Sequence, residues 1–146
     1  MKYLFTILLL LSPFSFAEIE ISVSHLKKVY DPNSLKVITT ADQECATSDK
    51  ELDNIVKGAV IRSRIKPIQE LTDPSLFVTL NCMDNNGTVV ITSRFGFYDV
   101  DRGSLVYFAL QYNRLGTGDK QYIETSVKDS VDQAMTDYIR ANFFVD

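Results

Sequence analysis

The sequence predicts an α+β protein of two layers: a three-stranded antiparallel meander with two helices on one face (α-β-β-β-α), plus a short N-terminal extended segment. Two segments carry apolar residues at helical spacing, and three strand-like segments separated by turn residues lie between them. The chain has 146 residues, 45% of them hydrophobic and 23% charged. That length and composition are typical of one globular domain.

The N-terminus has the pattern of a secretory signal peptide. Lys2 precedes an apolar run over 4–11, and 15–17 (Ser-Phe-Ala) places small residues before a cleavage site. A membrane anchor is the lesser alternative, because the run is about half of the ~20 residues that a bilayer span needs. We expect a signal peptide over 1–17 and a single exported domain over 18–146, periplasmic in a bacterium and secreted otherwise.

The chain contains two cysteines, Cys45 and Cys82. Cys45 precedes a predicted helix over 49–66, and Cys82 lies near the end of a predicted strand over 75–83. Helix and strand are both ~27–30 Å long, so a strand folded back along the helix brings the two thiols to the same end. Exported thiols usually pair, so we expect a Cys45–Cys82 disulfide. Two buried free thiols are the alternative.

The segment before the first helix predicts short extended pieces. Apolar residues alternate over 18–24, which indicates a strand, and 35–39 is a second candidate strand. Ser48 and Glu51 have the spacing of a capping box, which starts the first helix. Four cations fall in the second half of that helix and could meet an anionic partner, although the helix dipole already favours cations there. These are Lys57, Arg62, Arg64 and Lys66.

Turn residues set the predicted register of the meander. Turns over 84–87 and 101–104 separate the three strands. The resulting pairs include Met83 with Thr88, Leu80 with Ile91, Phe77 with Arg94, Val100 with Leu105, and Phe97 with Phe108. Both hairpins then place apolar residues on one common face, and a slip of one residue would remove that agreement.

The second helix is predicted to begin near Thr125 or Ser126, after a loop over 116–119. Ser126 with Asp129 resembles a capping box with the shorter acid. An apolar stripe follows at spacings of three and four residues, formed by Val127, Val131, Ala134, Met135 and Tyr138. This stripe and that of the first helix are expected to cover the apolar face of the sheet.

The opposite face of the sheet is the predicted binding surface. The registers place Phe77 beside Arg94 and Tyr98 opposite Tyr107, and aromatic residues and arginine are enriched in binding hot spots. We therefore predict that Phe77, Arg94, Tyr98 and Tyr107 contact a partner. Two alternatives remain: an ordinary solvated sheet face, or burial of this face beneath the segment 18–40.

The predicted function is that of a small exported protein, not an enzyme, which binds another protein as an immunity-like protein, an inhibitor or an envelope accessory protein does. The sole histidine, His25, and two paired cysteines offer little for nucleophilic catalysis or a metal site, so no catalytic residue, metal or cofactor is predicted. The net charge of −4 argues against nucleic acid. We also expect no stable membrane insertion. A carrier of a small apolar ligand between helices and sheet is the alternative function, an enzyme is less expected, and a homodimer is possible.

Overall fold

Two helices packed on a mixed five-stranded sheet form the fold in the computed structural model, which describes residues 23–28, 30–83, 87–99, 102 and 104–144. The predicted signal peptide over 1–17 lies outside the described residues, as does 18–22. The elements in chain order are a 3-10 turn (Val23–Leu26), β1 (Ser34–Ala41), α1 (Asp49–Arg62), β2 (Lys66–Ile68), β3 (Ser75–Met83), β4 (Thr88–Asp99), β5 (Ser104–Thr117) and α2 (Lys120–Phe143).

The sheet has the strand order β2-β1-β3-β4-β5, so the predicted meander makes up three of its five strands. The α+β class is confirmed, and the pure three-stranded meander is wrong. β1 contains the candidate strand over 35–39 and pairs in parallel with both β2 and β3. Val23 and Ser24 belong to the 3-10 turn rather than to a strand. β1, α1 and β2 form a parallel crossover, which a helical connection permits.

Helix α1 begins as predicted and ends earlier. The Ser48 side chain accepts from the Glu51 N–H, and the Glu51 carboxylate accepts from the Ser48 N–H, which completes the capping box. The helix ends at Arg62 because Arg64 adopts a left-handed conformation with φ of 62°. Lys66 belongs to β2. The four cations therefore do not share one helix.

Two of those four cations are paired within the chain. Lys57 lies 2.7 Å from the Asp53 carboxylate, one turn earlier on α1, and Arg62 lies 3.4 Å from the Asp132 carboxylate on α2. Exposed pairs of this kind contribute at most about 1 kcal/mol each. These two ion pairs favour the interpretation of Lys57 and Arg62 as ordinary solvated charges rather than as a site for an anionic partner.

Helix α2 begins at Lys120, about one and a half turns before the predicted start. Asp119 caps it, accepting from the Gln121 N–H at 3.3 Å. The predicted loop over 116–119 is shorter, because β5 extends to Thr117. The first three residues of the helix, 120–122, show no apolar spacing, so the helical pattern does not extend to its start. Ile123, the next residue, is fully buried. Ser126, the predicted cap, is buried inside the helix.

The core fills the layer between the helices and the sheet. Its fully buried members include Leu76, Leu80, Val89, Ile91 and Phe95 from the sheet, and Leu52, Val56, Ile123, Val127, Met135 and Tyr138 from the helices. The helices run parallel, because Lys120 pairs with Glu51 near both helix starts and Asp132 pairs with Arg62 further along. Among the described residues, no helix packs on the opposite face of the sheet.

The Cys45–Cys82 disulfide is confirmed. The two sulfur atoms are 2.06 Å apart, and the Cα atoms are 5.4 Å apart. The bond joins the loop before α1 to the end of β3, as predicted, although α1 is shorter than the helix on which the length argument rested. Both half-cystines pack against the core.

The capping box of α1 makes a testable prediction about pH. Hydrogen bonding from the Ser48 backbone, and then from the Lys120 ammonium, lowers the pKa of Glu51 to about 2. A carboxylate whose pKa is lower in the folded state stabilises the fold above its ordinary pKa, and this stabilisation is lost as the pH falls towards the folded-state pKa. An NMR titration of the side chain is expected to give a pKa of about 2.

The variant Lys120→Met separates the two causes. We expect it to raise the pKa of Glu51 only part of the way towards 4.5, because the larger contribution comes from the Ser48 backbone. A pKa of Glu51 in the ordinary range in the wild type would show that the capping box is not formed in solution.

Candidate functional site

The face of the sheet that points away from the helices carries three of the four predicted binding residues. Ser93 and Tyr112 point to the helices, because their hydroxyls contact Ser130 and Asp137 of α2 at 2.7 Å. Neighbouring residues of β4 and β5 therefore point the other way. We call this surface the open face. It comprises Phe77, Thr79, Asn81, Thr92, Arg94, Tyr98, Phe108, Gln111 and Asn113.

Four of these side chains form a contiguous group, which we call the Arg94 cluster: Phe77, Arg94, Tyr98 and Phe108. The Phe77 ring stacks on Tyr98 with centroids 6.1 Å apart and meets Phe108 edge-on with centroids 5.1 Å apart. The Arg94 Cζ atom lies 3.5 Å from the centroid of the Phe108 ring, a cation–π contact. All four residues are half-buried. The cluster is thus assembled in the free chain and remains accessible.

The Arg94 guanidinium has a nitrogen without a hydrogen-bond acceptor. Its Nε atom is buried and donates to no acceptor in the part of the chain that the structure describes. Leaving a buried donor unsatisfied costs about 1–3 kcal/mol. Strands β1, β3 and β5 contain no Asp or Glu, and Asp99 at the end of β4 is the sole acid of that strand. A chain with net charge −4 therefore presents a cationic sheet.

The register of the first hairpin is confirmed. Met83 pairs with Thr88, Leu80 with Ile91, and Phe77 with Arg94. In the second hairpin the predicted pairing of Arg94 with Gln111 also holds. Beyond Arg94 the predicted register is wrong, because two β-bulges each place an extra residue in β5.

The bulges change which aromatic side chains meet. Phe108 pairs with Gly96 instead of Phe97, and Tyr98 pairs with Leu105 instead of Tyr107. Leu110, at the first bulge, has a φ of 50°. Each bulge shifts the pairing by one position, so Phe108 joins the open face, where the sequence had not placed it.

Tyr107 is the predicted binding residue whose side chain lies outside what the structure describes. Its backbone pairs with Phe97, whose side chain is 8% exposed in the core, and the pairing with Tyr98 is wrong. The structure describes only the backbone of Tyr107. Phe108 takes the place in the cluster that the sequence assigned to Tyr107.

Gly96 is a sequence feature that could have indicated this arrangement. A Cβ atom at this position would overlap the Phe77 ring and approach the Leu105 side chain to 2.9 Å. A glycine inside a strand often marks a bulge or a close approach. Here Gly96 gives the Phe77 ring space to lie across β4 and reach Tyr98 and Phe108.

The segment proposed to cover the open face lies elsewhere where it is described. Residues 34–41 form a strand inside the sheet, paired with β2 on one side and β3 on the other. The turn before them packs on the end of α2, where Asn142 donates to the Leu26 carbonyl and accepts from the Lys28 N–H. Burial beneath 18–40 is therefore wrong for the described part of that segment.

A cleft of about 660 Å³ opens at the end of the sheet where β1 and β3 begin. Its lining includes His25, Lys28, Asp31, Glu70, Asp73 and Phe97. Burial lowers the pKa of Lys28, whose ammonium donates to the Ser34 carbonyl at 2.7 Å, and a hydrogen bond from Ser34 lowers the pKa of Asp31. Charges of both signs therefore line the cleft, and it lies outside the helix–sheet layer in which an apolar ligand was expected.

Two features of the described residues bear on other kinds of site. They contain no group of three or more His, Cys, Asp or Glu side chains placed to hold a metal ion. None of their helices is both long and apolar enough to cross a membrane.

No protein-family model matches the chain, and no curated protein matches it in sequence. Among solved structures, a point variant of the PelC dodecamer from Paraburkholderia phytofirmans is similar, with 12% identity, 77% of this chain and 92% of that chain covered, and a TM-score of 0.46. The PelC dodecamer in a second crystal form has the same identity and coverage, with a TM-score of 0.45. A minor lipoprotein from Acinetobacter baumannii has 10% identity, 72% and 87% coverage, and a TM-score of 0.28. All three similarities are distant in sequence and in fold.

Proposed function

We propose that the protein is an exported, non-enzymatic binding protein that captures another protein through the open face. The Arg94 cluster carries this proposal, since a buried guanidinium nitrogen without a hydrogen-bond partner lies among accessible aromatic rings. The disulfide supports export, because such bonds persist in oxidising compartments.

The composition of the cluster suits a binding hot spot. Tyrosine and arginine dominate hot spots, and a rigid side chain loses little entropy when a partner binds. The Phe108 ring contacts the Arg94 guanidinium and is itself packed edge-on against Phe77. A partner carboxylate or carbonyl aimed at Arg94 satisfies the unpaired nitrogen, and hydrogen bonds to charged groups contribute about 1.5–3 kcal/mol.

The shape of the surface favours a macromolecular partner. Small-molecule sites are concave and enclose their ligand, whereas the open face is the outer surface of three antiparallel strands, β3, β4 and β5. Exposed apolar residues continue from the cluster along the same face, among them Leu105 and Leu115. A protein surface can cover these residues and the cluster together.

Affinity capture from the exported fraction of the native host, followed by mass spectrometry, tests this proposal. We expect the wild type to retain a specific protein, and the variant Arg94→Met/Tyr98→Ser to bind it at least ~30-fold more weakly and so to retain much less of it, because hot-spot truncations cost about 2 kcal/mol or more. Circular dichroism checks that the variant is folded.

A matched control removes the same residue types elsewhere. The variant Arg64→Met/Tyr30→Ser changes an exposed arginine beyond α1 and a tyrosine that is 84% exposed. Its capture is expected to equal that of the wild type. Equal retention by the folded open-face variant, or no retained protein at all, would contradict the proposal.

A further inference from the structure

The two edges of the sheet differ in how they are protected. β2 forms one edge with three residues, which include Lys66 and Pro67. β5 forms the other edge with fourteen residues and contains no Pro, Lys, Asp or Glu. Natural edge strands are usually shortened, charged or interrupted by proline to prevent pairing with another strand. Within the described residues, β2 carries these features and β5 lacks most of them.

One part of β5 forms a regular edge. Residues 111–117 pair with β4 without interruption, from Gln111 opposite Arg94 to Thr117 opposite Thr88. The bulge at Leu110 ends this run. Seven regular residues equal or exceed the length of an ordinary strand in a globular protein, about five to six residues. The run is therefore long enough to accept another strand.

The side chains on this run include an exposed apolar group. Leu115 is 70% exposed and pairs with Val90 on the open face. A strand added outside β5 would bring its own side chains to about 4.5–5.5 Å from the opposite residues. Such a strand would cover Leu115 and extend the open face beyond the Arg94 cluster.

The positive charge of Arg114 at the β5 edge favours an added strand with acidic side chains. Arg114 donates to the Asn113 carbonyl and to the Gln133 side chain, both at 3.0 Å, and pairs with no carboxylate among the described residues. Asp137, the acid that faces β5 from α2, accepts from Tyr112 and lies 3.7 Å from Arg140. A second β5 would bring another arginine and no acid, so a second copy of this chain is not the complement.

We propose that the outer edge of residues 111–117 takes an extended, acidic segment of the partner protein as a sixth strand. Main-chain hydrogen bonds to this edge provide affinity, and they replace the side-chain hydrogen bonds that the Asn113 and Leu115 carbonyls accept from Arg114 and Tyr122. Alternate side chains of the added strand meet Leu115 and Arg114. The identity of the occupant as part of the captured protein rests on the proposed function. The capacity of the edge to pair with such a segment is tested separately.

The probe is the synthetic peptide acetyl-Glu-Val-Glu-Val-Glu-Val-amide, titrated into the ¹⁵N-labelled mature protein. We expect saturable NMR shift changes centred on the amides of 111–117. The same peptide N-methylated at alternate residues, which cannot complete the ladder, is expected to bind at least ~10-fold more weakly. No shift in 111–117, or equal binding of the methylated peptide, would overturn the inference.

Variants of the protein test the charge argument. Arg114→Glu is expected to weaken peptide binding at least ~5-fold, because it reverses the charge at the edge. Arg64→Glu makes the same charge change at an exposed site outside the sheet and should bind as the wild type does. Equal binding by Arg114→Glu and Arg64→Glu would overturn the acidic character of the occupant.

Hydrogen exchange of the free protein gives an independent control. Amides that point outward from 111–117 are expected to exchange rapidly, and their protection would overturn the inference by showing an edge already occupied by residues 18–22 or by a second copy. If the peptide binds while the Arg94→Met/Tyr98→Ser variant captures normally, the proposed function fails and the edge site stands. If capture behaves as predicted and the peptide does not bind, the edge site fails alone.

Discussion

The variant Cys45→Ala/Cys82→Ala is expected to lose about 4 kcal/mol of unfolding free energy. The disulfide closes a loop between residues 37 positions apart, so its removal restores chain entropy to the unfolded state. Both half-cystines also pack against the core, and alanine removes part of that contact. Urea denaturation of the wild type and the variant measures the difference.

The expected loss is smaller than the stability of an ordinary domain. Native domains are stable by about 5–15 kcal/mol, so the variant should remain folded in the cold and unfold at a lower urea concentration. Wild-type protein treated with a reductant should show a somewhat smaller shift, because it loses the cross-link and keeps both sulfur atoms against the core. A loss below about 1 kcal/mol would show that the cross-link contributes little, and that the layers are held together by packing alone.

The variant Tyr138→Ala is expected to lower the free energy of unfolding by about 3–5 kcal/mol, as truncation of a buried aromatic residue usually does. Tyr138 is fully buried, and its ring stacks on Phe95 with centroids 6.0 Å apart. Its hydroxyl donates to the Pro32 carbonyl at 2.9 Å, which connects α2 to the start of β1. Burial also raises the pKa of the phenol.

Tyr138→Phe separates the ring from the hydroxyl. It keeps the packing and leaves the Pro32 carbonyl without this donor, so we expect a loss of about 1 kcal/mol. Chemical denaturation of both variants provides the comparison. Equal losses for the two substitutions would contradict the assignment of most of the energy to ring burial.

Local patterns predicted the elements whose signals lie close together in sequence. The capping box located the start of α1, and the turn over 84–87 fixed the register of β3 with β4. In both cases the deciding interactions lie within one element or across a short connection. The disulfide was predicted because the two cysteines of an exported chain usually pair.

Local sequence patterns did not predict the pairing of strands that are distant in sequence, nor the β-bulges. β1 pairs with β3 across about forty residues, and the three-residue β2 has no periodicity of its own. The bulges in β5 flank the pairing of Phe108 with Gly96, where a Cβ atom would overlap the Phe77 ring. A register drawn from the turn alone therefore failed beyond Arg94.

The candidate site was predicted in part for the same reasons. Phe77 and Arg94 belong to the regular hairpin, and the structure places them together. Tyr98 reaches the cluster although its partner strand is shifted, and Phe108 replaced Tyr107 because of the bulges. The buried Nε atom of Arg94 depends on the packing of Phe108 and could not be predicted from spacing.

The dissociation constant of the captured partner, measured by titration calorimetry for the wild type and for folded Arg94→Met/Tyr98→Ser, tests the open face as a binding surface most directly. A hot spot centred on Arg94 predicts binding at least ~30-fold weaker in this variant, equivalent to about 2 kcal/mol, with Arg64→Met/Tyr30→Ser within about 2-fold of the wild type. Wild-type affinity in the Arg94→Met/Tyr98→Ser variant, with its thermal stability unchanged, would contradict the assignment.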